Sequence, residues 1–227
     1  MIFHARRISR SEVKPMTRRT DFCYLFFMAT KIARKAKPSV ASTPGVKVVS
    51  SRVTYEGPMF YVTAEQIVEP SGNSVRRDIV HHRGSVVIMP LDERGKEPRI
   101  LLERQYRYAA KQEMWEFPAG GKDEGEADLT AAKRELLEET GYSAREWKLA
   151  LHFYVSPGFL EETMAVFLAR DLVKGKATPE ADEVIYSKFF SVRTAIKMVM
   201  DGRIKDAKTI AGVLWLAKRL DTSARTK

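Results

Sequence analysis

From residue 47 onward the chain switches between two hydrophobic periods. The runs VKVVSSRVTYEG, MFYVTAEQIVEP and VRRDIVHHRG are rich in β-branched and aromatic residues and are punctuated by EGP and PSGN, which predicts three short antiparallel strands joined by turns. GSVVIMPL is apolar without a break between Gly84 and Pro90, the pattern of a buried strand, and PRILLERQYR follows it after the loop DERGKE. WKLALHFYV, TMAVFLARDLV and VIYSKFF predict three further strands. The period turns helical at about residues 127–140, and again in VRTAIKMVMDG and DAKTIAGVLWLAKRL. No internal repeat or heptad is evident. Mixed strands with helices inserted and appended predict an α+β sandwich. Residues 47–82 form a small antiparallel β subdomain in this reading, 83–221 the main domain and 222–227 a tail.

Within the helix at 127–140, Asp128 or Thr130 can cap the start, and Gly141 stands where a left-handed residue closes the end. Leu129, Ala132 and Leu136 are the expected core side. Glu135, Glu138 and Glu139 stand at i, i+3 and i+4, so their carboxylates share a flank. Like charges gathered so closely need solvent, arginine or a metal ion among them. Arg134 can pair with Glu138 one turn on, or with Glu126.

Charge and cysteine count narrow the function classes. Residues 1–47 carry 11 Lys/Arg against Glu12 and Asp21, +9 of the net +10, and the remaining 180 residues carry 28 against 27. A nucleic-acid-binding domain concentrates its excess on a folded face, so the near-neutral body argues against a nucleic-acid partner. The apolar run FCYLFFMA is too short to span a bilayer. Residues 1–46 read as a disordered basic extension or an upstream start, with Met16 or Met28 as alternative first residues. Cys23 is the single cysteine, so no internal disulfide forms, and a reducing, cytoplasmic location is expected. His4, His81, His82 and His152 have no zinc-ligand spacing.

The wider pattern is Gly120, five residues, Glu126, seven residues, Arg134-Glu135-Leu136, one residue, Glu138-Glu139, one residue, Gly141. It resembles the signature of the Nudix hydrolases at every fixed polar and glycine position. A chance match in a chain this long has odds on the order of one in a million at ordinary residue frequencies. Tyr142 departs from the aliphatic residue usual at that place. The resemblance implies an α/β/α sandwich and hydrolysis of a nucleoside diphosphate linked to another moiety, with Mg²⁺, or Mn²⁺, beside the pyrophosphate. It implies Glu135, Glu139 and the Ala119 carbonyl as metal ligands, Glu138 as a further ligand or as a residue that orients one, and Arg134 as the brace of a carboxylate, Glu126 or Glu138. Gly120 turns the backbone into the loop.

The segments VTYEGPMFYV, VRRDIVHHRGSVVIMPL and ILLERQYRYAAKQEMWEFPAGG, and Pro157 sixteen residues after Gly141, resemble the ADP-ribose pyrophosphatase branch of that family. That resemblance implies a homodimer built through the N-terminal strands, with Tyr55, Phe60 and Tyr61 as candidates for stacking on adenine. Arg107 is the candidate phosphate or ribose contact, or else a salt-bridge residue, and Glu162 the candidate contact to the terminal ribose. A catalytic acid is expected on the loop before the last strand, with Glu183 preferred over Glu180 and Asp182. The alternatives are another nucleoside diphosphate sugar such as GDP-mannose, or a non-catalytic ADP-ribose sensor. Degenerate motif carboxylates would mark a sensor, and none is degenerate here.

Overall fold

In this computed structural model, which describes residues 45–178 and 185–225, strand β4 (Ser85–Asp92) is buried on both faces and organises the rest. Successive side chains of a strand alternate. Val86 and Ile88 therefore face one layer, while Val87, Met89 and Leu91 face another, which is why the run shows no polar alternation. The strand β9 (Thr163–Lys174) pairs parallel with β4 and divides its side chains likewise, Ala165, Phe167 and Ala169 against Val166 and Leu168.

A seven-stranded mixed sheet grows from this pair. Strands β5 (Arg99–Arg107) and β10 (Tyr186–Ser191) lie on one side and β8 (Tyr142–Tyr154) on the other, in the order β10-β5-β4-β9-β8. Two short strands unforeseen in the sequence join it: β6 (Gln112–Glu116) on β5, and β7 (Ala119–Gly121) on β4. Helix α1 (Asp128–Thr140) covers the first face, and α2 (Val192–Met200) and α3 (Ala207–Arg225) contribute Ala195, Met198, Val213 and Leu216 to the core on the second. The result is the α/β/α sandwich of an α+β fold. Among the described residues no helix is long and apolar enough to cross a membrane.

Three strands lie apart from that sheet. β1 (Lys47–Glu56), β2 (Phe60–Val68) and β3 (Ser74–His82) form an antiparallel sheet in the order β1-β2-β3. Its seam with the main sheet is a parallel bridge between Val80 and Leu160. Val80 N–H donates to the Phe159 carbonyl at 2.8 Å, and Glu161 N–H donates to the Val80 carbonyl at 2.9 Å.

Helix α1 differs from expectation at its start and on its inner face. Ala127 is the residue before the first turn and no side chain caps it; Asp128 instead accepts Lys122 Nζ at 2.7 Å, and Thr130 makes no cap. Leu129 is 37% exposed in the first turn. The buried stripe is Ala131, Ala132 and Leu136, whose two alanines let the helix lie close on β4. The end is as expected: Gly141 has φ of +71°, and a Cβ there would meet the Ala177 nitrogen at 2.6 Å. Gly175 N–H reaches the Gly141 carbonyl at 2.6 Å and Thr178 N–H the Glu138 carbonyl at 2.9 Å, so the chain leaving β9 satisfies carbonyls at the end of α1.

At the far end of β4, buried Asp92 accepts from Arg94 Nε at 2.8 Å and Arg99 Nη2 at 2.6 Å. The Arg94 hydrogen bond outweighs the upward push of burial and, with Arg99, holds the Asp92 carboxyl at about 2, below its ordinary 3.8. A folded value below the unfolded one stabilises the protein at neutral pH, and that contribution is lost as pH falls from about 4 to about 2. Both arginines are substantially exposed, so after solvent screening we expect about 1–2 kcal/mol. Denaturant unfolding of wild type and Asp92→Asn should differ by that amount at pH 7, by about a third of it at pH 2.5, and converge only below about pH 2. An undiminished difference in acid would contradict the assignment.

Candidate functional site

The glycine-rich loop from β7 into α1 brings the motif residues together. Arg134, in the second turn of α1, projects back over that loop. Its Nε and Nη2 take the two oxygens of Glu126 at 3.1 and 2.9 Å; Nη1 donates to Glu135 at 2.7 Å and Glu138 at 3.2 Å; Nη2 also reaches the Gly121 carbonyl at 3.1 Å. A guanidinium has five N–H donors, and these five bonds use them all. In this structure arginine is therefore what gathers Glu126, Glu135 and Glu138. Glu126 also accepts Asp123 N–H at 3.0 Å, and Arg134, followed by that amide, holds the Glu126 carboxyl below the usual carboxylate range. In return the Glu126 hydrogen bond, with Glu135 and Glu138, raises the Arg134 guanidinium above its ordinary value.

Glu139 takes a different course. It is 7% exposed, faces the sheet, and accepts Ala119 N–H at 3.1 Å. The Glu135 carboxylate lies so close to the Gly120 backbone that a Cβ on Gly120 would run into it. Two carboxylates thus converge on residues 119–120, while Glu138 stands on the more open flank. Among the described residues no group of three His, Cys, Asp or Glu is disposed to hold a metal ion. As chemistry, however, the carboxylates of Glu135, Glu138 and Glu139 are hard oxygen donors, which fit a hard divalent cation.

Arg107 does not stand alone. It forms a two-pronged pair with buried Glu116, 2.9 Å on each side, and Glu116 also accepts Lys208 Nζ at 2.5 Å. Burial pushes the Glu116 carboxyl up, but Arg107 and Lys208 outweigh it and the net shift is downward. The Glu116 bond likewise raises Arg107, to which the charge of Glu139 also contributes. Lys208 and Asp206, 3.0 Å apart at the start of α3, went unrecognised in the sequence. Lys208 is 92 residues from Glu116, and no local pattern marks such a partner.

Of the other singled-out residues, Tyr61, Pro157 and Glu162 lie about the contact between β3 and the turn before β9, whereas Tyr55 and Phe60 are exposed on β1 and β2. Tyr61 stacks on His81, 4.5 Å between ring centres and 9° from parallel, and Tyr55 contacts Phe60 at 5.3 Å. Pro157 is exposed on the turn 156–160. Glu162 accepts the Ser85 hydroxyl at 2.6 Å and lies 3.6 Å from His82 Nδ1. Tyr142, the motif's departure, packs edge-on against Phe189 at 5.6 Å, so its bulk is accommodated. Glu180, Asp182 and Glu183 lie outside the described residues, as does the basic segment before residue 45. A cavity of about 240 Å³ lined by Asp92, Glu93, Arg94, Glu146, Arg170 and Asp171 lies at the end of β4 opposite the one that pairs with β7, with arginine–carboxylate pairs across it.

Comparison with known proteins agrees with this arrangement. The family model described as NUDIX domain matches residues 80–212. An ADP-ribose pyrophosphatase of Bacillus subtilis (strain 168) is 32% identical over 172 residues, 75% of this chain and 91% of that protein. A GDP-mannose pyrophosphatase of Yersinia pestis (strain Pestoides F) is 34% identical over 140 residues, 58% of this chain and 70% of that protein. The crystal structure of an ADP compounds hydrolase superposes with a TM-score of 0.69 at 20% identity, covering 82% of this chain and 99% of that one, a likeness of fold. The loop and helix that carry Glu126, Arg134 and the three further glutamates fall inside the matched span, and the chain belongs to the NUDIX domain family, as a Nudix pyrophosphohydrolase.

Proposed function

We propose that the protein hydrolyses ADP-ribose to AMP and ribose 5-phosphate with a divalent cation, Mg²⁺ or Mn²⁺. The observation that carries the reading is the complete carboxylate set on α1, with Arg134 Nη1 bridging Glu135 and Glu138, its other donors anchored on Glu126 and the Gly121 carbonyl, and Glu139 fixed to Ala119. Glu135, Glu138, Glu139 and the Ala119 carbonyl would hold the cation, which when bound supplies charge neutralisation and Lewis acidity at the pyrophosphate. The chain's own side chains do the rest. Arg134 keeps Glu135 and Glu138 from splaying apart, and Glu126 and the Gly121 carbonyl fix Arg134 in turn. Arg107, oriented by Glu116, offers a guanidinium to a phosphate oxygen. Tyr61, Pro157 and Glu162 stand on the substrate side of the seam. In the reaction a water oxygen bonds to phosphorus, the bridging P–O bond breaks, and Glu183 accepts the water's proton.

The preference for ADP-ribose draws on the Bacillus subtilis relative, of which this chain covers 91%, and on Pro157. GDP-mannose is the second reading, favoured by the Yersinia pestis relative. Steady-state kinetics on ADP-ribose, GDP-mannose, NADH and diadenosine polyphosphates decides between them. The highest kcat/KM is expected for ADP-ribose, lost on chelation and restored by Mg²⁺. A faster rate on GDP-mannose overturns the substrate assignment, and binding of ADP-ribose without turnover would make the protein a sensor.

We also propose a homodimer through the three-stranded sheet. Val49, Val53, Tyr55, Met59 and Phe60 are exposed there, an apolar set that a second copy would cover. Light scattering should return twice the mass of the chain; the mass of a single chain refutes the dimer.

A further inference from the structure

The turn that carries Pro157 is fastened to β3 from its side chains as well as its backbone. On one face of β3, His81 Nδ1 meets the Glu161 carboxylate. Its Nε2 lies 2.8 Å from the hydroxyl of Thr63, a residue 1% exposed, and its ring face lies on Tyr61. A neutral ring satisfies both contacts if Nδ1–H donates to Glu161 and Nε2 accepts the Thr63 hydroxyl proton. The imidazole is therefore fixed by three neighbours from β2 and the turn. On the following residues Gly84 N–H donates to His82 Nδ1 at 3.1 Å, and Glu162 takes the Ser85 hydroxyl. Consecutive glutamates of the turn are thus held by β3 and by the start of β4. Glu161 is 57% exposed, so the turn has little burial of its own to keep it there, and the His81 contact supplies what packing does not.

We propose that His81, acting through Glu161, is a positioning residue that sets turn 156–162 against the three-stranded sheet and so fixes how nucleoside diphosphate sugar is bound. This rests on the reading of Pro157 and Glu162 as substrate-facing. Binding depends on the clasp, whereas the bond-breaking step depends on α1, so damage to the clasp appears in KM rather than kcat.

Two readouts on the full chain test it, in wild type, His81→Ala, Glu161→Ala and Glu161→Gln. Amide hydrogen exchange needs no substrate. The Val80 and Glu161 amides should exchange about tenfold faster in both alanine variants, with the α1 amides unchanged. Glu161→Gln keeps an oxygen to accept from Nδ1–H and should exchange like wild type. Kinetics on the nucleoside diphosphate sugar cleaved fastest should then show KM raised about tenfold in the alanine variants, kcat within about twofold, and Glu161→Gln restored. Unchanged exchange in the alanine variants overturns the clasp, and faster exchange with unchanged KM overturns its part in binding. Absence of ADP-ribose cleavage by wild type overturns the substrate assignment alone, because exchange still reads the clasp.

Discussion

Glu139→Gln is expected to lower kcat/KM on ADP-ribose by about a thousandfold or more, equivalent to about 4 kcal/mol of transition-state stabilisation. The substitution is nearly isosteric. The amide oxygen can still accept Ala119 N–H, so the 3.1 Å contact and the packing of α1 on the sheet survive. What is lost is the negative charge at the most enclosed of the motif carboxylates, the one aimed at the backbone on which Glu135 also converges. An unaltered unfolding transition together with collapsed turnover is the expected pair of results. Turnover within about threefold of wild type would remove Glu139 from the metal set.

The second large effect is expected at Arg134. Arg134→Ala leaves Glu126, Glu135 and Glu138 side by side without the cation that gathers them. Glu126 and Glu135 are largely buried, and uncompensated charge in such places is costly; about 2–4 kcal/mol of folding stability should be lost. Activity should fall by about 10- to 100-fold as the carboxylates lose their orientation. Arg134→Lys is the sharper variant. An ammonium keeps the charge but has three donors in place of five, so it cannot span Glu126, Glu135, Glu138 and the Gly121 carbonyl together. Denaturant unfolding should place Arg134→Lys between wild type and Arg134→Ala, with activity still low. Full rescue by lysine would show that charge alone suffices and that the fork is incidental.

The parts of the site that were legible in the sequence are those whose geometry a single helix dictates. Glu135, Glu138 and Glu139 lie on adjoining turns and Arg134 comes within reach of Glu138 because the helix repeats every 3.6 residues, and Gly141 tolerates the left-handed turn that closes it; that Glu139 turns in to the sheet while Glu138 stays on the open flank was not in the pattern. Where tertiary contacts compete, the local pattern misleads. Asp128 is a good capping residue, yet Lys122 takes its carboxylate; Leu129 has the right period for the core, yet the helix starts where the sheet no longer covers it. β6 escaped notice because QEMWE has no β-branched residue, and β7 because AGG carries a single methyl group and so no alternation. Arg107 was open between phosphate contact and salt bridge. Its actual neighbour Glu116 is tied to Lys208 on another layer, and the hydrogen bond of Phe117 N–H to Thr209 at 2.8 Å crosses the same gap. Contacts of that kind are decided by how α3 lies on the sheet, which no window of sequence contains.

The most direct test of the account is chromatographic identification of the products when ADP-ribose is incubated with Mg²⁺ and either wild type or Glu139→Gln. Equal amounts of AMP and ribose 5-phosphate from wild type, both formed about a thousandfold or more slowly by the variant, are predicted. Cleavage at any bond other than the pyrophosphate, or undiminished AMP release by Glu139→Gln, would contradict it.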